Sequence, residues 1–104
     1  MRRRTKMKIL HVTYTIKDGK RDEFFQRIMD KGIASRSREE AGCLTYEYYF
    51  PVGNDNELFL VEIWKTPEDA EKHMQSAHFA QLQELKKEYV TDVRFGKFQE
   101  VIEV

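Results

Sequence analysis

Three imidazoles, His11, His73 and His78, are the side chains of this 104-residue chain best suited to move a proton near neutrality. An unperturbed histidine titrates at about 6.5, where a general base works well. His73 and His78 stand five residues apart, which separates them by about 140° around a continuous helix. That spacing argues against a shared metal ion, because helical zinc ligands stand four apart, and no HExxH, paired thiols or acidic calcium loop occurs. A helix break near Ser76 would still let both rings approach one pocket. The alternatives are a structural hydrogen bond for His73 and a loop or capping role for His78. Cys43, the single cysteine, excludes an intramolecular disulfide and a multi-thiolate zinc site. No cation adjoins it in sequence to make the thiol reactive.

The only tryptophan, Trp64, falls where a strand gives way to a helix, a common pocket rim. It reads equally as a pocket wall and as a core residue. Phe79 and Tyr46 read first as packing residues, with ligand contact as the alternative. His11 shares a strand face with Ile9 and Thr13, from which it would reach either the pocket or a subunit interface. Glu62 reads more naturally as a salt-bridging strand residue than as a partner in chemistry.

The elements that must position these groups follow from periodicity. Lys8–Ile16 alternates Leu10, Val12, Tyr14 and Ile16 against Ile9, His11, Thr13 and Thr15, as a strand does. After turn chemistry at Asp18-Gly19, Phe24, Phe25, Ile28, Met29 and Ile33 recur at helical steps, predicting one helix to about Arg38. Gly42 ends it. A second strand sets Leu44, Tyr46, Tyr48 and Phe50 against Cys43, Thr45, Glu47 and Tyr49, with Pro51 as its stop. A hairpin-type loop leads to a third strand, Glu57–Lys65. Thr66 and Pro67 then open a helix to about Met74. Ser76 caps another stretch with the stripe Phe79, Leu82, Leu85 and Tyr89, and a last strand is predicted over Val93–Val104.

The order β, α, β, β, α, β is the ferredoxin-like pattern, an α+β fold with helices on one face of an antiparallel sheet. Strand three carries Phe59, Val61 and Ile63 on one side and Leu58, Leu60 and Trp64 on the other. Helices cover one face only, so the second is expected to pack on another copy as a homodimer.

Composition narrows the remaining classes. A chain of this length makes one domain, expected over 7–104, behind a disordered basic tail at 1–6. Lys and Arg balance Asp and Glu at 18 each. The tail apart, no basic helix face interleaved with aromatics suggests nucleic acid. No apolar run is long enough to span a membrane. The chain reads as soluble, unexported and cytoplasmic.

The run Leu58-Phe59-Leu60-Val61-Glu62-Ile63-Trp64-Lys65-Thr66-Pro67-Glu68-Asp69-Ala70, followed by His73, Ser76, His78 and Phe79, resembles the antibiotic biosynthesis monooxygenase family. Gly42-Cys43-Leu44-Thr45-Tyr46-Glu47 is similar to that family's glycine-led second strand, and the likeness extends over roughly Met7 to Val104. It implies a dimeric α+β barrel with a small aromatic-lined pocket in each subunit. It also implies oxygenation of a quinol or polycyclic phenol by molecular oxygen with neither metal nor flavin, because a deprotonated electron-rich phenol can itself give an electron to oxygen. His73 or His78 would take the phenolic proton, and Trp64, Phe79, Tyr46 and His11 would form the substrate site.

Three other readings compete. Isomerisation of a phosphorylated sugar derivative needs a basic phosphate site, and no glycine-rich loop supplies one. Haem degradation, as in a related branch, calls for an Asn on strand one, where this chain has His11 and Val12. A non-catalytic dimeric module binding a small ligand remains open.

Overall fold

The computed structural model describes residues 6–96. In chain order it comprises β1 (Lys8–Ile16), α1 (Arg21–Asp30), α2 (Ile33–Glu39), β2 (Cys43–Tyr49), β3 (Glu57–Trp64), α3 (Pro67–Met74), α4 (Ala77–Tyr89) and β4 (Val90–Phe95). The strands form one antiparallel sheet in the order β2-β3-β1-β4, with the helices on one face, the ferredoxin-like α+β arrangement. Leu10 pairs with Glu62, Val12 with Leu60 and Tyr14 with Leu58, so these side chains share the helix-covered face. Against them pack Phe24 and Ile28 of α1, Ile33 of α2 and Leu82, Leu85 and Tyr89 of α4. Each such aliphatic or aromatic side chain contributes about 1.5–3 kcal/mol by leaving water.

Three expectations about the elements need correction. The single helix to Arg38 is two helices. Gly32 turns left-handed at φ 68°, and its N–H returns to the Met29 carbonyl, closing α1 before α2 begins. Strand two does not alternate cleanly either. Cys43 pairs with Trp64 and Thr45 with Ile63, leaving Leu44 as an extra, exposed bulge residue and turning Cys43 towards the core. Finally, the last strand starts earlier, because Val90 extends directly from α4 and pairs with Ile16. The expected continuation through Val101, Ile102 and Val104 lies outside the described residues, as do Arg2, Arg3 and Arg4 of the basic tail.

Two caps locate the helices that matter for chemistry. Thr66 accepts a hydrogen bond from the Asp69 N–H at 3.1 Å and starts α3, with Pro67 in its first turn. Ser76 accepts from the Phe79 N–H at 3.2 Å and starts α4. Between them the chain breaks at Gln75 and Ser76 rather than running on as one helix.

Candidate active site

That break decides where the histidines point. His73 lies in the last turn of α3 and His78 in the first turn of α4, and their ring centroids lie 5.5 Å apart. One oxygen of Glu40, at the C-terminal end of α2, bridges them: Oε2 is 2.6 Å from His73 Nδ1 and 2.8 Å from His78 Nε2. An ionised carboxylate only accepts, so both nitrogens donate to it, and His73 Nε2 is left with a free lone pair. This nitrogen lies 3.8 Å from Glu62 Oε1, which accepts the Trp64 indole N–H at 3.2 Å.

His73 is 3% exposed and enclosed by rings. Trp64 lies 4.6 Å away, tilted 30° to it, with Phe79 at 5.4 Å and Tyr46 at 5.5 Å. Burial pushes the imidazole's pKa below its ordinary value, while the hydrogen bond and charge of Glu40 partly offset that shift. Burial thus favours the neutral ring, the form that can accept a proton. Burial acts oppositely on Glu62, raising its carboxyl pKa, with the Trp64 hydrogen bond as the main opposing effect.

His73 and Glu62 border a cavity of about 450 Å³ between the sheet and helices α3 and α4. Its apolar wall includes Leu10, Val12, Phe79, Val93 and Phe95, and Lys8, Gln83 and Lys86 also reach it. The volume falls within the range of small-molecule sites. A mostly apolar chamber with an oriented neutral imidazole can bind a flat ring and remove a proton from it.

The expected site residues take different places. His73 and Phe79 line the cavity, whereas His78 stands behind His73 on the shared carboxylate. Trp64 is 0% exposed and backs His73 rather than forming a wall of the chamber. Tyr46 is also buried, its hydroxyl 3.3 Å from that of Tyr48. His11 projects from the helix-free face beside Phe59, centroid to centroid 5.4 Å, because strand alternation sends it away from Val12 and the cavity. Direct substrate contact by Trp64, Tyr46 or His11 is thus not what this arrangement offers. Glu62, expected as a salt-bridging strand residue, is a buried group at the cavity whose ion-pair contact is with His73 Nε2 at 3.8 Å.

Glu40 and Lys86 were not anticipated. No spacing rule ties an acid before Gly42 to histidines more than thirty residues later; the only sequence signal is its place at the end of an apolar helical pattern. The spacing argument against a shared metal fails for the same reason that the rings meet. Glu40, His73 and His78 present donor atoms within 4.8 Å of one another, and among the described residues they are the group that could hold a metal ion.

Fold and site together define a small α+β domain built to enclose an organic molecule beside an imidazole–carboxylate pair. The chain belongs to the antibiotic biosynthesis monooxygenase family, whose model matches residues 7–85. It is 30% identical over 73 residues to YcnE of Bacillus subtilis strain 168, a protein named as a monooxygenase, covering 70% of this chain and 75% of that one. With the Synechocystis protein sll1783 it shares 28% identity over 64 residues, which is 62% of this chain and 42% of that longer one. Among solved structures, protein SO0527 from Shewanella oneidensis superposes with a TM-score of 0.83 at 17% identity, covering 96% of each chain. A Nitrosomonas europaea protein named as an antibiotic biosynthesis monooxygenase gives 0.81 at 17% identity, covering 97% of this chain and 96% of that one. Family and relatives support a monooxygenase-like or small-molecule-binding role. No helix among the described residues is long and apolar enough to cross a membrane.

Proposed function

We propose that this protein is a cofactor-independent monooxygenase that oxidises a small quinol or polycyclic phenol with molecular oxygen, acting as a homodimer. The observation that carries the reading is the orientation of His73: Nδ1 is tied to Glu40 at 2.6 Å, and Nε2 is on the side of the cavity carboxyl, Glu62. In the scheme, the substrate ring lies against Phe79 and the aliphatic wall, and its hydroxyl gives a proton to Nε2. The imidazolium that forms is stabilised through Nδ1–H by Glu40, whose negative charge is shared with His78. The phenolate passes one electron to oxygen, the resulting radical pair joins through a new bond from oxygen to a ring carbon, and the peroxide anion so formed takes the proton back from the His73 imidazolium to give a hydroperoxide. That hydroperoxide loses water as the ring C–H proton leaves, so one oxygen atom stays as a quinone carbonyl and the other departs in water.

Subunit pairing is proposed from the helix-free face. Ile9, Phe59, Val61 and Ile63 occupy it at the sheet centre, with Tyr49 51% exposed on β2. A second copy would cover this apolar patch.

Oxygen uptake with a panel of reduced naphthoquinones and naphthols tests the activity. Saturable, enzyme-dependent consumption that falls at least about 100-fold with His73→Ala is expected for a general base. Ligand-induced thermal stabilisation without uptake across the panel would contradict it and indicate a binding module.

A further inference from the structure

Of the charged groups at the cavity, Lys8, Glu62, Glu71 and Lys86, the buried ammonium of Lys86 is one that proton abstraction does not use. Lys86, on α4, reaches the wall with its ammonium 5.4 Å from the centroid of the Tyr14 ring and donates a hydrogen bond to Gln83 Oε1 at 2.9 Å. Among the described residues no carboxylate oxygen lies within ion-pairing distance of it, although α4 also carries Glu84 and Glu88. Those acids pair elsewhere, with Lys87 and Arg27. Burial lowers the lysine's pKa, a penalty that the more distant charge of Glu62 only partly offsets. An ammonium drawn out of water without a counter-ion costs stability, which a site recovers when a ligand brings the missing charge. Lys8 adds a second positive group at the same chamber, and Glu71 on α3 adds a carboxylate to that of Glu62.

We infer that the cavity is shaped for an aromatic ligand bearing a fixed carboxylate, with Lys86 as the counter-ion for that group and the ligand's hydroxyl presented to His73. The aromatic portion follows from the aliphatic and phenyl walls. A carboxylate fits better than a phosphate because the lining offers two ammonium groups but no arginine fork or glycine-rich amide nest. The carboxylate half rests on Lys86 alone, whereas the placement of the hydroxyl rests on the oxygenase reading above.

Isothermal titration of the intact protein with 1-hydroxy-2-naphthoate and with 1-naphthol separates the two halves. The acid is expected to bind about tenfold more tightly than the neutral naphthol, as for one charge-assisted contact. Lys86→Met should remove that preference while leaving naphthol affinity within about twofold, and Lys86→Arg should retain it. Equal affinities in the wild type, no binding of either compound, or an equal loss for both in Lys86→Met would overturn the inference. Tighter binding of ribose 5-phosphate than of the naphthoate would overturn its aromatic part. If the acid preference holds while oxygen uptake is absent, the anion site stands and the oxygenase reading fails. If neutral and carboxylated phenols bind and support uptake equally, the oxygenase reading stands and the anion site fails.

Discussion

At the residue scale, the proposed chemistry turns on a carboxylate shared by two imidazoles. Glu40→Gln removes the charge that steadies the imidazolium, so kcat is expected to fall about 10- to 100-fold. The same substitution should change the pH profile. Glu40 raises the His73 pKa against the lowering by burial, so its loss lowers that pKa further. His73 must be neutral to act, so activity rises with pH through its pKa, and the variant's rise should move to lower pH while its plateau drops. Steady-state rates from pH 4 to 8 check this. Glu62 gives a second expectation with the opposite logic. Burial raises its folded pKa, so its contribution to stability is fully present below the unfolded value near 4.3 and is lost as pH rises through the folded pKa. Glu62→Gln, which keeps an acceptor for Trp64, should therefore melt at higher temperature than the wild type at neutral pH. The gain should vanish below about pH 4. The imidazoles were legible as chemical groups in the sequence because their type alone suggests proton transfer. Glu40 was not, since an acid joined to its partners only by the fold leaves no local pattern.

At the element scale, close packing around Gly42 sets the position of α3 and hence of His73. A Cβ on Gly42 would lie 2.4 Å from the Asp69 Cβ, and Asp69 sits in the capped first turn of α3. The Lys65 N–H also bonds to the Gly42 carbonyl at 2.8 Å, fixing the strand end beside it. Gly42→Ala is expected to cost about 1–3 kcal/mol through forced displacement. Thermal melting should show the loss, and the Michaelis constant should rise as His73 shifts. The strands and the start of α3 were readable because alternation, Thr66 and Pro67 are local signals. The separation of α1 from α2 was missed because Phe24, Phe25, Ile28, Met29 and Ile33 keep helical spacing across a glycine whose left-handed turn that pattern does not reveal. The bulge at Leu44 was hidden similarly, since Leu44 continues an apparent alternation that pairing with β3 interrupts.

At the scale of the whole molecule, the sheet's two-sided apolar character was plain from β3 alone, and it underlies the proposed dimer. Light scattering at micromolar concentration should give twice the 12.5 kDa chain mass. Ile63→Glu, at the centre of the helix-free face opposite Ile9, should reduce that to one chain mass while preserving the far-ultraviolet circular dichroism of the fold. A wild-type monomer would contradict the pairing. The cavity, by contrast, arises from the gap between α3, α4 and the sheet, so its lining was only partly visible beforehand. Phe79 was anticipated, and Lys86 entered only through the fold. Proton removal by His73 inside that chamber is the central claim, and an anaerobic spectrophotometric titration of bound 1-naphthol reads it without the oxygen chemistry that follows. The phenolate band should appear at least about one pH unit below its position for free naphthol, and that shift should disappear in His73→Gln. Bound naphthol that ionises at or above the free value, or an identical shift in His73→Gln, would contradict proton transfer to this imidazole.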